Sequence, residues 1–436
     1  MLDMKFIREN PDAVKAAIRD KREKADVDQL LELDGKRREH LTTLEGLRAE
    51  SNEASKAIGQ LMKEKQDASE AIRAQKEVSA RVKELEATVR EVEEELEAAL
   101  LTVPNIPDAE VPIGEDESAN VTVSEWGTPR EFSFTPKSHA DLGRDLGILD
   151  VVCAAKLAGS GFALTRGAGA RLERALANFM LDLHTSQHGY TEVVPPVLAN
   201  RKTMTGTGQL PKLEDDMYQI GRDELFLIPT AEVPLTNQHQ DQILEAGDLP
   251  LYYTAQTGCF RREAGAAGKD TTGMTRVHQF TKIELVKLVG AEEAEAKAEL
   301  QSLLANAETV LQALNLPYRV VRLATGDLSF ASRITYDLEA WAPGADRWLE
   351  VSSCSEFGDF QSRRLGTRYR GKDGKVRFVR TLNGSGLALP RTWICILENY
   401  QREDGSIEIP EALVPYMGGL KEIPAPTGGN GGGGAS

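Results

Sequence analysis

The sequence predicts an α+β chain in two parts, a long antiparallel two-helix coiled-coil arm followed by a compact mixed domain. Three observations carry the prediction. Residues 28–101 place apolar side chains at alternating spacings of three and four. A stretch of prolines and acids with no period, from Thr102 to about Pro136, then ends that pattern. Beyond it, short β-rich runs and single helical stripes occur together in one segment.

Composition sets the outer limits. The chain has 436 residues, 41% of them apolar, enough for a sizeable core and more than one domain. A formal net charge of −16 repels polyanions on average, so an RNA partner has to meet a locally basic surface. Cys153, Cys259, Cys354 and Cys395 include no CxxC pair, which argues against a zinc ribbon or a disulfide framework. They suit a reducing compartment, and the expected location is cytoplasmic. The start MLDMKFIREN has charges where a signal peptide has its apolar core, and no run approaches the roughly 18 apolar residues of a membrane span, so no membrane partner is expected.

In the arm, Val78, Val82, Leu85, Val89, Val92 and Leu96 form a heptad seam. Upstream, Leu30, Leu33, Leu44, Leu47, Ile58 and Leu61 recur as pairs, with Arg37, His40, Ser51 and Ala54 at the intervening seam positions. The polar stretch Lys63 to Glu70 separates the two stripes, and so short a link forces neighbouring helices back alongside each other, with the tip near Lys65 to Ala68. At ~1.5 Å per residue, about thirty residues on each side project about 50 Å. A dimerising coiled coil or a spacer satisfies this pattern. Charge is uneven along it: Arg48 to Lys83 holds eight basic and six acidic residues, whereas Glu91 to Glu97 holds five acids and no base, so the far end tolerates phosphate better. Residues 103–138 read as a linker with a short strand, residues 139–426 as the compact domain, and residues 427–436, TGGNGGGGAS, as a disordered tail.

Within the compact domain, LYYTAQTGCF and RVHQFTKIELVKLV read as antiparallel strands joined by a long loop. Alternation puts Arg261 and Glu263 on one face of the first strand, and Arg276, His278, Phe280, Lys282 and Glu284 on one face of the second, with Val277, Ile283 and Leu285 opposite. An aromatic ring among guanidinium and carboxylate groups offers a purine a stacking surface, an acceptor for its amine and a cation for its phosphate. The GAAGK in the loop is not a phosphate-binding P-loop, because Glu263 stands where its first glycine should be and Asp270 follows the lysine.

Two further segments belong with this pair. In TLNGSGLALPRTWICILENYQ a strand with glycine-flanked Ser385 runs into Pro390 and Arg391 at the start of a helix, where an anion would meet both the arginine and the positive helix end. An ordinary strand-to-helix turn accounts for it equally well. Between Gly167 and Leu198, Leu172, Leu176, Phe179, Met180 and Leu183 recur at helical spacing, Gly189 stops the helix, and YTEVVPPVL follows as a strand that Pro195 and Pro196 confine to an edge or interface.

These three segments, in this order, resemble motifs one, two and three of class II aminoacyl-tRNA synthetases. TAEVPLTN from Thr230, EVSSCS from Glu350, FGDFQSRR, LNGSG, ILENYQ and the amino-terminal hairpin narrow the resemblance to the bacterial-type seryl-tRNA synthetase family, over the whole chain except its tail.

The resemblance implies a class II synthetase antiparallel sheet flanked by helices, and ATP, magnesium, L-serine, tRNA(Ser) and by family tRNA(Sec) as cofactor and partners. It implies catalytic roles for Arg261 and Arg391. Arg261 would meet the α-phosphate and the amino-acid carboxylate, Glu263 the adenine amine, Phe280 the adenine face, and Arg391 the other adenine face and the γ-phosphate. Arg262, Val277, Glu350, Val351, Ser352 and Ser353 also match ATP-binding positions, and Glu350 and Ser353 match the magnesium-holding ones. Thr230, Ala231, Glu232, Glu284, Asn383 and Ser385, with Arg261, match the serine pocket. A homodimer is implied, with contacts near Pro196 and each arm crossing to the tRNA on the other subunit. Pro390, Glu356 and Phe357 depart from the usual family pattern, and Glu356 adds a carboxylate near the expected magnesium position. The alternative activity is that of a class II relative loading an amino acid onto a carrier protein, against which the intact arm argues.

Overall fold

The structure, a computed structural model, describes residues 1–264 and 273–425. It divides into two compact units, one ending at Ile106 and the other beginning at Pro107.

The first unit contains helices α1 (Met4–Glu9), α2 (Pro11–Asp20), α3 (Val27–Lys63) and α4 (Ser69–Leu100). The Asp26 side chain caps the start of α3 by accepting from the Gln29 amide, an otherwise unpaired first-turn donor. α3 and α4 are antiparallel: Arg37 pairs with Glu93, Arg48 with Glu86, and Gln75 donates to Ser51 and Ser55. Positions 33, 37, 40, 44, 47, 51, 54, 58 and 61 of α3 are all buried or half-buried, so the weaker stripe does form a seam despite its polar members. The link spans 64–68 and turns through Lys65 at positive φ. α1 and α2 pack Ile7, Val14 and Ile18 on Leu30, Leu33, Leu96 and Leu100. The sequence reading takes residues 1–102 as a helical arm with its hairpin at about 28–101, without resolving separate helices before the hairpin, since six and ten residues are too few for a clear period.

In the second unit the strands are β1 (Val121–Trp126), β2 (Thr191–Glu192), β3 (Leu251–Phe260), β4 (Gln279–Val289), β5 (Tyr318–Arg322), β6 (Ile334–Ala342), β7 (Arg347–Glu356) and β8 (Arg380–Ala388). They form one sheet in the order β1-β5-β6-β7-β8-β4-β3-β2, antiparallel throughout except where β2 joins β3. The helices used below are α5 (Ala168–Ser186), α6 (Glu232–Thr236), α7 (Glu293–Ala313), α8 (Phe360–Leu365) and α9 (Leu389–Tyr400). α5, α7 and α9 join Ile283, Leu285, Leu338 and Leu382 of the sheet in one core, which includes the five α5 residues named from helical spacing. Period-two alternation sends those strand residues inward and frees the opposite face of β4 for polar groups.

Four expectations need correction. Residues 107–138 are not a linker, because β1 pairs along β5 as the edge of the main sheet and residues before it bond to Arg333, Thr325 and Asp327. Arg261 and Glu263 do not lie on a strand: β3 ends at Phe260, the Arg262 amide turns away to the Asp216 carbonyl, and Glu263 has φ 53°. Arg276, Val277 and His278 likewise precede β4, since the His278 amide is taken by the Gly161 carbonyl. Of YTEVVPPVL only Thr191 and Glu192 pair with β3, and Leu198 starts a separate short strand beyond the prolines. The loop AGAAGKDTTGMT between β3 and β4, which its small and polar residues lead us to expect as a gate over the nucleotide site, falls largely on residues 265–272, and the expected disordered tail on 427–436, both outside the described residues.

Trp393 of α9 is fully buried at the centre of the large core. Trp393→Ala is expected to lower stability by about 3–5 kcal/mol, measured by denaturant unfolding of the whole chain.

Candidate active site

On the polar face of β4, β7 and β8 lies a cavity of about 670 Å³. Thr230, Glu232, Arg261, Glu263, Val277, Phe280, Glu284, Glu350, Val351, Ser353, Asn383, Ser385 and Arg391 line it, so residues far apart in sequence share one space. Three expected residues do not. Ala231 is buried in the core beneath α6, the Ser352 hydroxyl turns away to the Ser385 carbonyl, and Arg262 reaches back to the Asp215 carbonyl at the surface. Each neighbours a lining residue, and a tight turn or strand alternation points it the other way.

One end of the cavity carries two buried carboxylates. Ser385 and Glu284 stand opposite each other on β8 and β4. Glu284 accepts from the Thr230 hydroxyl at 2.9 Å and pairs with Lys282 at 2.5 Å. Glu232, in the first turn of α6, accepts from Gln361 at 2.7 Å. Glu284 is 2% and Glu232 7% exposed. Burial, helped by the nearby Glu284 charge, pushes the Glu232 carboxyl up to about 7. Next to Ser385 the ladder bulges, and Gly386 lies so close to His184 that a Cβ there would stand 2.6 Å from its Nε2, which explains the second glycine of the GSG.

Charge pairs fill the other end. Arg261 lies over the Phe280 ring, 5.2 Å from its centroid, and donates to the Pro229 carbonyl. Arg276 pairs with Glu263 at 2.7 Å. Arg391 donates to the Glu350 carbonyl at 2.8 Å and to its carboxylate at 3.1 Å. Pro390 fits the first turn of α9 because amides there have no helical partner to lose. Partial desolvation at the cavity wall pushes the Glu350 carboxyl up, but the Arg391 guanidinium more than offsets this and holds it below its usual range. Burial, with the Glu350 charge beside it, drives Asp337 well above its usual range, and its Oδ1 has no hydrogen-bond partner. Glu356 does not add a free charge: Arg380 donates to it at 3.0 and 2.9 Å, Arg333 stands 3.7 Å away, and it accepts from the Gly358 amide.

Sequence reasoning placed Lys282 on the correct face of β4 and named Arg276 beside it, but gave neither a role, although both line the cavity. Asp337 and the wall segments 207–209 and 329–331 escaped it altogether, because none of them carries a periodic or motif signal that distinguishes a wall from a loop, and Gln361, although it lies inside FGDFQSRR, received no role of its own.

Comparison with known proteins follows the same division of the chain. A family model described as the tRNA synthetase class II core domain (G, H, P, S and T) matches residues 213–400, and one described as the seryl-tRNA synthetase N-terminal domain matches residues 1–107. The serine–tRNA ligase of Pelobacter propionicus is 53% identical over 424 residues, 97% of this chain and 100% of the relative. The seryl-tRNA synthetase of Pyrococcus horikoshii, solved in complex with ATP, superposes with a TM-score of 0.90 at 38% identity, covering 97% of this chain and 99% of that one. The cytoplasmic serine–tRNA ligase of Naegleria fowleri, solved with AMP, gives 0.85 at 32% identity, covering 97% and 98%.

The raised Glu232 carboxyl has a stability signature. Its ionised form is disfavoured in the folded state, so the penalty is absent below about pH 4.5, grows as pH rises toward 7 and is complete above it. Glu232→Gln is therefore expected to stabilise the protein by about 1–3 kcal/mol at alkaline pH and to leave it unchanged in acid, read from unfolding midpoints at the two pH values.

Proposed function

The chain belongs to the seryl-tRNA synthetase family, whose members are ligases that join serine to tRNA, and from that premise we propose how its residues divide the work. The observation that supports the reading best is the polarity of this cavity. Buried carboxylates and hydroxyls at one end suit a small amino acid with an ammonium and a hydroxyl, and arginines around an aromatic ring at the other suit ATP.

At the nucleotide end the site groups pair with one another, so ATP exchanges partners rather than entering empty space. Adenine stacked on Phe280 takes the place of the Arg261 guanidinium, which is then free for the α-phosphate and the amino-acid carboxylate. Glu263 leaves Arg276 to accept the adenine amine, and Arg276 and Arg391 turn to the outer phosphates. Glu350 and Ser353 open onto the cavity, and Asp337 keeps a carboxylate oxygen without a partner beside them, a hard oxygen set that fits magnesium. Among the described residues no cluster of three or more His, Cys, Asp or Glu could hold a metal alone, so phosphate oxygens have to share in binding it. When bound, magnesium supplies neutralisation of phosphate charge.

The serine carboxylate attacks the α-phosphorus and pyrophosphate leaves, giving seryl-adenylate; a terminal ribose hydroxyl of tRNA then takes the seryl group and AMP is released. Arg261 and Arg391 act by positioning and by stabilising the charge of the transition state. No covalent enzyme nucleophile is needed, in keeping with the buried Cys259 and Cys354, whose thiols burial pushes up, that of Cys354 to about 12. Glu284 and Thr230 receive the serine hydroxyl. Alanine leaves that buried acceptor unpaired, at a cost of about 1–3 kcal/mol.

The hairpin of α3 and α4 serves tRNA(Ser), and by family tRNA(Sec), through phosphate and shape contacts, in a homodimer in which each arm crosses to the tRNA on the other subunit. The location proposed is the cytoplasm. Among the described residues no helix is long and apolar enough to cross a membrane.

Two measurements check this reading. The chain is expected to exchange pyrophosphate into ATP only when serine is present, and to charge tRNA only with residues 28–101 intact. Exchange without any tRNA charging by the intact chain would point instead to a carrier-protein loader. Glu284→Ala is expected to raise the serine KM by about 10-fold or more with a change below about 2-fold for ATP, and an equal loss for both substrates contradicts its assignment.

A further inference from the structure

Just outside the cavity, behind its acidic end, one side chain ties three of its walls together. Gln361 on α8 is 1% exposed. Its Nε2 donates to Glu232 Oε1 at 2.7 Å and to the Thr207 carbonyl at 3.2 Å, and its Oε1 accepts from Thr381 Oγ1 at 2.6 Å. Those partners lie on α6, on the 207–209 wall, and on β8, which also carries Asn383 and Ser385. The Thr207 carbonyl can only accept, which assigns the amide unambiguously: both its hydrogens point at acceptors and its oxygen at the hydroxyl.

We propose that Gln361 is a positioning residue for the amino-acid substrate, holding Glu232 as an ionised acceptor that faces the cavity and receives the substrate ammonium group. The inference rests on the reading of Glu232 as part of the serine pocket. A carboxylate in this place needs such help. Burial and the Glu284 charge both favour its protonated form, while Gln361, Lys282 and Arg261 favour the ionised one. Of these three, only Gln361 bonds Glu232 directly; Lys282 is engaged by Glu284 and Arg261 by Phe280 and Pro229. A protonated Glu232 would offer the ammonium no charge.

The test uses the full chain in serine-dependent pyrophosphate exchange, with the serine and ATP KM values measured separately from about pH 6 to 9. Gln361→Glu keeps the shape and the acceptor toward Thr381 but sets a carboxyl against Glu232. Gln361→Met keeps the volume and has no donor. Both are expected to raise the serine KM about 10-fold or more, with the ATP KM within about 2-fold, and to move the acid limb of kcat/KM for serine to higher pH. The direction follows from the chemistry: without its donor, Glu232 holds its proton to higher pH, so serine use is lost at pH values where the parent retains it. Equal rises in both KM values, or a fall in kcat with an unmoved acid limb, make Gln361 a packing residue and overturn the proposal. Glu232→Gln separates the two layers. If it leaves the serine KM unchanged, the pocket assignment itself falls and the proposal with it; if it raises that KM while the Gln361 variants do not, only the role of Gln361 falls.

Discussion

Two carboxylates, Glu232 and Glu284, sit almost out of solvent at one end of a cavity, and their surroundings answer the cost of keeping them there. A buried carboxylate is tolerable when hydrogen-bonded and paired, and ruinous when not. Glu284 meets that demand with Thr230 and Lys282, while Glu232 meets it with a hydrogen bond from Gln361 and the more distant charges of Lys282 and Arg261, and remains on the edge of protonation. The supports come from β4, from the segment opening α6, and from α8, elements held in register by the central sheet. A substrate carrying an ammonium and a hydroxyl supplies what the pair lacks, so the cost in stability becomes selectivity in binding.

The opposite end obeys the same rule with the signs mixed. Arg261, Arg276 and Arg391 are each engaged by a neighbouring ring or carboxylate, so that end is electrostatically satisfied within the protein itself. Such a site binds by trading partners, which favours a polyanion with an aromatic base over either component alone. Glu356 shows how local compensation works: its charge is taken up by Arg380 and Arg333 rather than added to the cavity.

Legibility in the sequence followed chemistry with a period. The arm could be read because a coiled-coil seam must repeat every three and four residues, and Val78, Val89 and Leu96 are buried as that repeat requires. On β4 the alternation of Ile283 and Leu285 against Lys282 and Glu284 could be read because a pleated strand has only two faces. The same logic overreached at Arg261, Glu263 and Arg276. Strand ends depend on which distant carbonyl claims an amide, and Gly161 and Asp216 claimed those of His278 and Arg262.

The sequence by itself determined the arm, the family and most of the residues that meet in the cavity, because periodicity and local motifs are written in neighbouring positions. Tertiary structure alone decided which of those residues face inward, that 107–138 completes the sheet, and that Gln361 stands behind Glu232. Each of these is a contact between segments tens to hundreds of residues apart, and no local spacing records which polar group will be buried against which partner.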